Sequence, residues 1–361
     1  MAMKEKNETE KVLEELKPLI DMEMEKLLPK KIDSKSLEAI FGKPRYAYDM
    51  PAISKALNEP IWDFLDRGGK RWRPALFLII AEAVGGDAKK LQEFTAFLEF
   101  IHNGSIMVDD VEDDGDLRRD KPCTHKIFGV DIAVNASSFM YFLPLLVLTR
   151  NRDRFDEKTL LRAFRIYSQE MINIHAGQGM DIFWHKGKAN PNEKEYMQMC
   201  AYKTGTLARM SARLAVALSG GSEKQEEALG KFAEAIGVAF QIQDDLLDII
   251  SSGKDREKFG KAFGNDIKEG KRTLMVIHTL QKAPESDRNR LAKILNSHTS
   301  DPRQVEEAIS ILSKCGSIEY AKRKAKELVL NAWKEADPLL KDSMAKKKIR
   351  DFAYFLIDRD F

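Results

Sequence analysis

Apolar residues recur along this chain with the period of a helix almost everywhere. Leu13, Leu16, Ile20, Met24 and Leu27 form one amphipathic stripe near the start. Leu91, Phe94, Leu98, Ile101, Ser105 and Val108 step by three and four residues and predict a long helix running into a cluster of aspartates. Gly85-Gly86-Asp87, Ser219-Gly220-Gly221-Ser222 and Ser251-Ser252-Gly253 read as helix stops and turns. Residues 284–302 read as a polar connection with its own short helical stretch at 288–295. No strand-type alternation and no hairpin dipeptide between β-branched runs is evident, and no apolar run of transmembrane length is expected. The pattern predicts an all-α fold: a single domain of many long helices around a central cavity. It spans residues 41–361, with residues 1–40 as a charged N-terminal helical extension.

Composition narrows the function classes. The chain has 361 residues, 43% hydrophobic and 32% charged, and a net charge of +2. So small a charge gives no ground for a nucleic-acid or membrane partner. Cys123, Cys200 and Cys315 are far apart and form no CxxC pair. That argues against a disulfide framework or a zinc site and for a reducing compartment. The first residues are polar, without the apolar core of a signal peptide. A cytoplasmic location is expected.

Two clusters of the form DDxxD carry the chemistry: Asp109-Asp110-Val111-Glu112-Asp113 and Asp244-Asp245-Leu246-Leu247-Asp248. On a helix, positions i, i+1 and i+4 fall on one side, so each cluster is expected to project three carboxylates together. Such crowding is costly unless cations hold it. Oxygen-only donors without thiolate or paired imidazole suit Mg²⁺. Two such walls suggest metal ions clamping a polyphosphate.

Basic residues accompany both clusters. Arg118 and Arg119 follow the first, and guanidinium forks match phosphate oxygens. Gly68-Gly69-Lys70-Arg71-Trp72-Arg73-Pro74 precedes an apolar helix and can aim Lys70 and Arg73 at one anion, without the spacing of a P-loop. Lys203-Thr204-Gly205-Thr206-Leu207 adds a cation and hydroxyls, and Gly260-Lys261, Asp266 and Gly270-Lys271-Arg272-Thr273 follow the second cluster. Gln178 and Asp181 are polar positions in a largely apolar helix. Each of these taken alone is equally a capped turn or a satisfied core polar group.

Together, and in this order, these motifs resemble those of the trans-isoprenyl diphosphate synthases, or polyprenyl synthetases. The resemblance runs from about Gly68 to the carboxy terminus. It covers the GGKRxRP segment, the first aspartate motif with its arginine pair, the GQxxD at 177–181, the Lys203-Thr204 pair, the FQxxDDxxD at 240–248 and the GKxxGxDxxxGKxT at 260–273. It implies an isoprenoid synthase fold, a homodimer, and Mg²⁺, as three ions. It also implies head-to-tail condensation of isopentenyl diphosphate with an allylic diphosphate (dimethylallyl, geranyl or farnesyl), releasing pyrophosphate. The metal ligands it implies are Asp109, Asp110, Asp113, Asp244 and Asp248. Arg118, Lys203 and Lys261 would contact the allylic diphosphate. Lys70, Arg73, Arg119 and His102 would hold isopentenyl diphosphate, with Gln241 and Lys271 as further substrate-binding positions. Lys203, Thr204, Gln178 and Asp244 would be the catalytic set.

The resemblance also bears on product length. Bulky residues four and five positions before the first aspartate stop short products in the family. Here those positions are Ser105 and Gly104, with Ile101 about one turn deeper. A geranylgeranyl or longer product is therefore expected. Departures from the family pattern are Val108, the segment Asp120-Lys121-Pro122-Cys123-Thr124-His125, and Asn135-Ala136-Ser137-Ser138. They remove no phosphate ligand and are expected to touch the cavity wall. The alternatives are a farnesyl diphosphate synthase, a non-catalytic regulatory subunit, a class I terpene cyclase and a head-to-head condensing enzyme.

Overall fold

The computed structural model describes residues 8–184, 189–250 and 264–357. Helices dominate. The strands among the described residues are a two-residue pair, β1 (Leu117–Arg118) and β2 (Lys121–Pro122). The chain divides into two compact units. The first is Met1–Ile166, Ser211–Glu226 and Lys341–Asp351; the second is Tyr167–Met210, Glu227–Leu340 and Phe352–Phe361.

The first unit begins with α1 (Glu8–Leu27) and α2 (Ser34–Phe41), where Asp33 caps α2 in a reciprocal capping box with Ser36. After α3 (Met50–Ile53), a π-turn at Ser54–Asn58 leads into α4 (Glu59–Leu65). Next come α5 (Trp72–Ala83) and α6 (Glu93–Glu112), then α7 (Thr124–Phe128), α8 (Val130–Phe142) and α9 (Leu145–Arg150). α5 is buried around nearly its whole circumference, as its unbroken apolar run requires. α6 packs against α1, α5 and α8. The stripe read from the sequence supplies the core: Leu91, Phe94, Leu98 and Ile101 are buried, and Phe94 packs against the rings of Phe77 and Phe155. α1 lies on α5 and α6, and its Ile20 and Met24 are wholly buried. Each contributes about 1.5–3 kcal/mol of burial, so the charged amino-terminal helix is part of this core.

Two features depart from the sequence reading here. Residues 130–150 are long and apolar enough to cross a membrane, with a mean hydropathy of 1.7. The chain breaks there at Leu143-Pro144, and α8 spends one face on α6. A helix buried on one side has the same composition. Gly104 marks the α6–α8 crossing: a Cβ there would lie 2.9 Å from Met140 Cβ and 3.1 Å from the Ser137 carbonyl. Its smallness is explained by helix packing.

The second unit takes the rest of α10 (Glu157–Phe183) from Tyr167, then α11 (Glu193–Cys200), a π-turn at Ala201–Gly205 and the start of α12 (Thr206–Leu218). α13 (Glu223–Ile250) follows from Glu227, then α14 (Asn265–Lys268) and α15 (Leu274–Lys282). α16 (Glu285–Asn296), α17 (Pro302–Lys314) and α18 (Ser317–Ala336) complete the set, with α19 (Met344–Ile357) ending the described chain. The polar connection expected at 284–302 is mostly helix, α16, which buries Leu291, Ile294 and Leu295. Arg209 on α12 joins Glu170 on α10 (Nε–Oε1 2.9 Å) and Glu234 on α13. Close approach completes the frame. A Cβ on Gly177 of α10 would meet the amide nitrogen of Lys203 at 2.3 Å.

Candidate active site

In the first unit, α6 delivers the first aspartate cluster to its carboxyl end. Asp109 is half-buried and Asp113, the C-cap, is exposed. Asp110 turns inward. Its Oδ1 accepts from Arg118 Nε at 2.8 Å and Nη2 at 2.6 Å, while its buried Oδ2 has no hydrogen-bond partner. Burial raises the Asp110 pKa against the opposing pull of Arg118. Cys123 packs beside it, and burial with the Asp110 charge pushes that thiol up to about 11.

Arg118 reaches Asp110 because the chain reverses directly after α6, at left-handed Asp114 (φ 49°), where the Gly115 N–H donates to the Asp110 carbonyl at 2.9 Å; the β1–β2 hairpin that follows pairs Leu117 with Pro122 and Arg118 with Lys121. Its turn residues Arg119 and Asp120 both adopt positive φ, 54° and 61°. Both central residues being left-handed is the requirement of a type I′ turn. Asp120 is thus an exposed turn residue rather than the expected cavity wall.

The glycine segment forms the opposite wall of this basic cluster. Gly68 (φ 88°), Gly69 (φ 147°) and Arg71 (φ 52°) carry the chain through a left-handed bend into α5. The bend leaves Lys70 exposed and buries Arg73, whose Nη1 lies 3.1 Å from His102 Nε2. An arginine can only donate, so Nε2 accepts and Nδ1 carries the imidazole proton. Burial, together with Arg73, Arg119, Arg71 and Arg118, holds the His102 pKa well below its ordinary value. Arg119 donates to the Gly68 carbonyl and, at 3.1 Å, to Asn103 Oδ1. Burial and the neighbouring Arg71, Arg118 and Arg67, opposed by Glu99, lower its pKa to about 10. So four residues read as isopentenyl diphosphate contacts, Lys70, Arg73, His102 and Arg119, come from one basic cluster in one unit.

In the second unit, Lys203 and Thr204 sit in the π-turn. Lys203 Nζ lies 2.5 Å from Asp181 Oδ2. Thr204 donates its hydroxyl to Gln241 Oε1 at 2.8 Å. Gln241 donates through Nε2 to Asp245 Oδ1 at 2.9 Å, and Tyr196 donates its phenol to Asp245 Oδ2 at 2.8 Å. Burial, and next the Asp266 charge, push the Asp245 pKa well above the ordinary carboxylate range. Asp248 is also engaged: its oxygens accept the backbone N–H of Asn265 at 3.1 Å and of Asp266 at 3.0 Å, anchoring α14. Asp244 remains half-buried, as does Gln178 on α10. Lys271 is paired with Asp266 (3.2 Å) and Glu269 (2.8 Å). Lys261 lies outside the described residues.

These contacts correct the expectation that each cluster projects three carboxylates together. Successive helical residues are about 100° apart, so the second aspartate falls on a flank that neighbouring elements can claim. Arg118 claims Asp110, and Tyr196 with Gln241 claims Asp245. Asp110 and Asp248 are therefore engaged by protein partners, and Arg118 Nη2 also stands 3.9 Å from Asp109 Oδ2. Among the described residues no three ligating side chains converge. Both clusters offer carboxylate oxygens, which fit a hard divalent cation.

Several participating residues carry no motif in the sequence. Tyr196 lies seven residues before Lys203 and belongs to none of the motifs. Glu99 and Asn103 are polar residues one helical turn apart in an apolar stretch. That spacing was the available signal.

The polyprenyl synthetase family model matches residues 54–312. A short chain isoprenyl diphosphate synthase of Methanothermobacter thermautotrophicus is 36% identical over 293 residues, 81% of this chain and 87% of its own. A geranylgeranyl pyrophosphate synthase of Dictyostelium discoideum is 32% identical over 81% of this chain and 90% of its own. The solved geranylgeranyl pyrophosphate synthetase of Pyrococcus horikoshii superposes with a TM-score of 0.85 at 30% identity, over 98% of this chain and 100% of that one. The fold is accordingly the all-α isoprenoid synthase fold, and the family uses a divalent metal with isoprenoid diphosphate substrates. With the motifs on the helices and loops described above, this chain belongs to the polyprenyl synthetase family and is a prenyltransferase, a trans-isoprenyl diphosphate synthase.

Proposed function

We propose that this protein extends an allylic diphosphate by Mg²⁺-dependent addition of isopentenyl diphosphate, to geranylgeranyl diphosphate or a longer chain. The observation that carries the reading is that Arg73, His102 and Arg119, with Lys70 on the adjoining glycine segment, add cationic and polar groups beyond Arg118, which is itself paired with Asp110. A terpene cyclase needs no such second anion site. Asp109, Asp110, Asp113, Asp244 and Asp248 are assigned to the metal, as three ions, with Arg118, Lys203, Lys261 and Lys271 on the allylic diphosphate. Bound Mg²⁺ supplies charge that offsets the departing diphosphate.

The chain's own residues do the rest. Arginine and lysine side chains hold both diphosphates and favour the charge that develops as the allylic carbon–oxygen bond breaks. Thr204 donates its hydroxyl hydrogen bond to Gln241, so its lone pairs can ease the allylic cation. Apolar helix faces must exclude water from that cation. The double bond of isopentenyl diphosphate attacks, a new carbon–carbon bond forms, and the proton then lost passes to the released diphosphate. His102, held neutral and occupied by Arg73, binds substrate.

Small Ser105 and the geranylgeranyl synthases among the relatives support the longer product. A homodimer is supported by an exposed apolar row on α7 and α8: Ile127, Val130, Val134 and Phe142. The free thiols Cys123, Cys200 and Cys315 support a cytoplasmic location.

The test is the purified protein with Mg²⁺, an allylic diphosphate and labelled isopentenyl diphosphate, with products resolved by length. Asp109→Ala and Asp244→Ala should each lower turnover by about two to three orders of magnitude. Near-normal turnover of either at saturating Mg²⁺ would remove that residue from the metal site. No incorporation of isopentenyl diphosphate by the protein alone would favour a cyclase or a regulatory subunit.

A further inference from the structure

Beneath the isopentenyl diphosphate residues lies a closed ring of hydrogen bonds. Arg71 Nη1 donates to Glu99 Oε1 at 2.8 Å. The same oxygen accepts from Asn103 Nδ2 at 2.9 Å. Asn103 Oδ1 accepts from Arg119 Nη2 at 3.1 Å. Arg119 Nη1 returns to the Gly68 carbonyl, which Arg71 Nη1 also reaches at 3.5 Å. Arg71, Glu99 and Asn103 are all buried. A further contact enters from the amino-terminal helix: Arg71 Nε donates to Asp21 Oδ1 at 2.9 Å.

Charge explains why Asp21 matters. The ring holds two guanidiniums, Arg71 and Arg119, and one carboxylate, Glu99. Asp21 supplies the second negative charge. Without it, two cations share one buried anion, within a cluster that also contains Arg73 and Arg118, and repulsion favours their separation. The ring is tied in sequence to the residues read as substrate contacts. Gly69 and Arg71 flank Lys70, Arg73 is two residues beyond Arg71, Asn103 follows His102, and Arg119 is itself a contact. A Cβ on Gly69 would sit 3.2 Å from Arg71 Nη1 and 3.5 Å from Arg119 Nη2, so the glycine bend rests directly on the two guanidiniums.

We propose that Arg71, Glu99 and Asn103 are positioning residues for isopentenyl diphosphate binding, and that Asp21 on α1 completes them. Asp21 lies outside residues 54–312, the part matched by the family model. The proposal rests on the assignment of Lys70, Arg73, His102 and Arg119 to isopentenyl diphosphate, and it gives the amino-terminal helix a role in that site.

Asp21 is the residue to perturb, because its side chain is 40% exposed and its loss opens no cavity. Asp21→Asn keeps an acceptor for Arg71 and removes the charge. It should raise the KM for isopentenyl diphosphate about fivefold, the effect of a charge-assisted hydrogen bond weakened by solvent. The KM for the allylic substrate and kcat should stay as in wild type. Asp21→Glu should restore part of the affinity, which a purely structural contact would not require. Arg73→Ala is measured alongside. If it raises the KM for isopentenyl diphosphate and Asp21→Asn does not, or if Asp21→Asn raises both KM values equally, the positioning role is overturned and the site assignment stands. If Arg73→Ala also leaves that KM unchanged, the site assignment falls and the proposal falls with it.

Discussion

Gly177 and Gly179 lie two residues apart on α10, and the structure predicts opposite outcomes when each gains a methyl group. At Gly177 the new Cβ would stand 2.3 Å from the Lys203 amide nitrogen, 2.7 Å from the Tyr202 carbonyl carbon and 2.8 Å from Tyr202 Cβ. Two of these are backbone atoms, so no rotamer change relieves the clash. Reaching an ordinary contact of about 3.5 Å requires the Lys203–Thr204 turn to retreat by roughly 1 Å. Overpacking of this kind costs about 1–3 kcal/mol, and the better helix propensity of alanine returns up to about 1 kcal/mol. The net loss for Gly177→Ala is then about 1–2 kcal/mol, a fall in Tm of roughly 1–3 °C for a chain of this size. A displacement of about 1 Å at a catalytic group costs on the order of a hundredfold in rate, so kcat should fall far more than stability. At Gly179 nothing lies within 4 Å of the added Cβ. Gly179→Ala should raise Tm by roughly 1–2 °C through propensity alone and leave kcat unchanged. Calorimetry and initial-rate assays on both variants decide the matter. A Gly177→Ala protein with wild-type kcat would refute the claim that this glycine sets the position of Lys203 and Thr204.

Tyr196→Phe removes the donor to Asp245 and leaves a buried carboxylate oxygen without its partner. It should cost about 1–3 kcal/mol in urea denaturation and lower kcat through Gln241 and Thr204; no change in either would show the relay to be inert. Asp120→Gly relieves a left-handed non-glycine residue at the hairpin turn and should stabilise by about 1 kcal/mol without altering product length. A shift in product length would return Asp120 to the cavity wall. The folded-state pKa of His102 is depressed, so the unfolded chain binds its proton first as pH falls below about 6.5. Stability should therefore drop below that pH by up to about 1.4 kcal/mol per unit, and a His102→Gln protein with the same slope would place the proton uptake elsewhere. Ser105→Phe should shorten the product while sparing the first condensation, and unchanged length would mean that the chain does not pass that face of α6.

The parts of this protein that were legible in its sequence are those set by local rules. The α6 stripe predicted Phe94, Leu98 and Ile101 as core, and they are buried. The motifs identified the reacting family from side-chain types alone. The parts that were not legible depend on partners far along the chain. Nothing in the aspartate motif says that Asp110 turns inward, since Arg118 reaches it only through the reversal at Asp114, a left-handed position held by a non-glycine residue. Gly104 looked like room for a growing chain because a glycine does not reveal what occupies the space beside it; α8 does. Asp21 and Glu99 meet Arg71 from 50 and 28 residues away, beyond any periodicity argument. The apolar run at 130–150 shows the converse limit, since its hydropathy alone does not distinguish a lipid-facing helix from one packed against α6.

The π-turn at Ala201–Gly205 has an implication for how this segment tolerates insertions and deletions. A π-turn is one residue too many in an otherwise regular helix. Removing a single residue between Ala201 and Gly205 would mend the ladder of backbone bonds and produce a more regular rod. It would also turn the side chains that follow by about 100° around the axis, so that Arg209 would no longer face Glu170 and Glu234. The extra residue therefore behaves as a phase shifter. It lets Tyr196, before the turn, and Arg209, after it, address partners that an unbroken helix could not serve together. A shortened chain of this kind should remain helical by circular dichroism and yet lose activity.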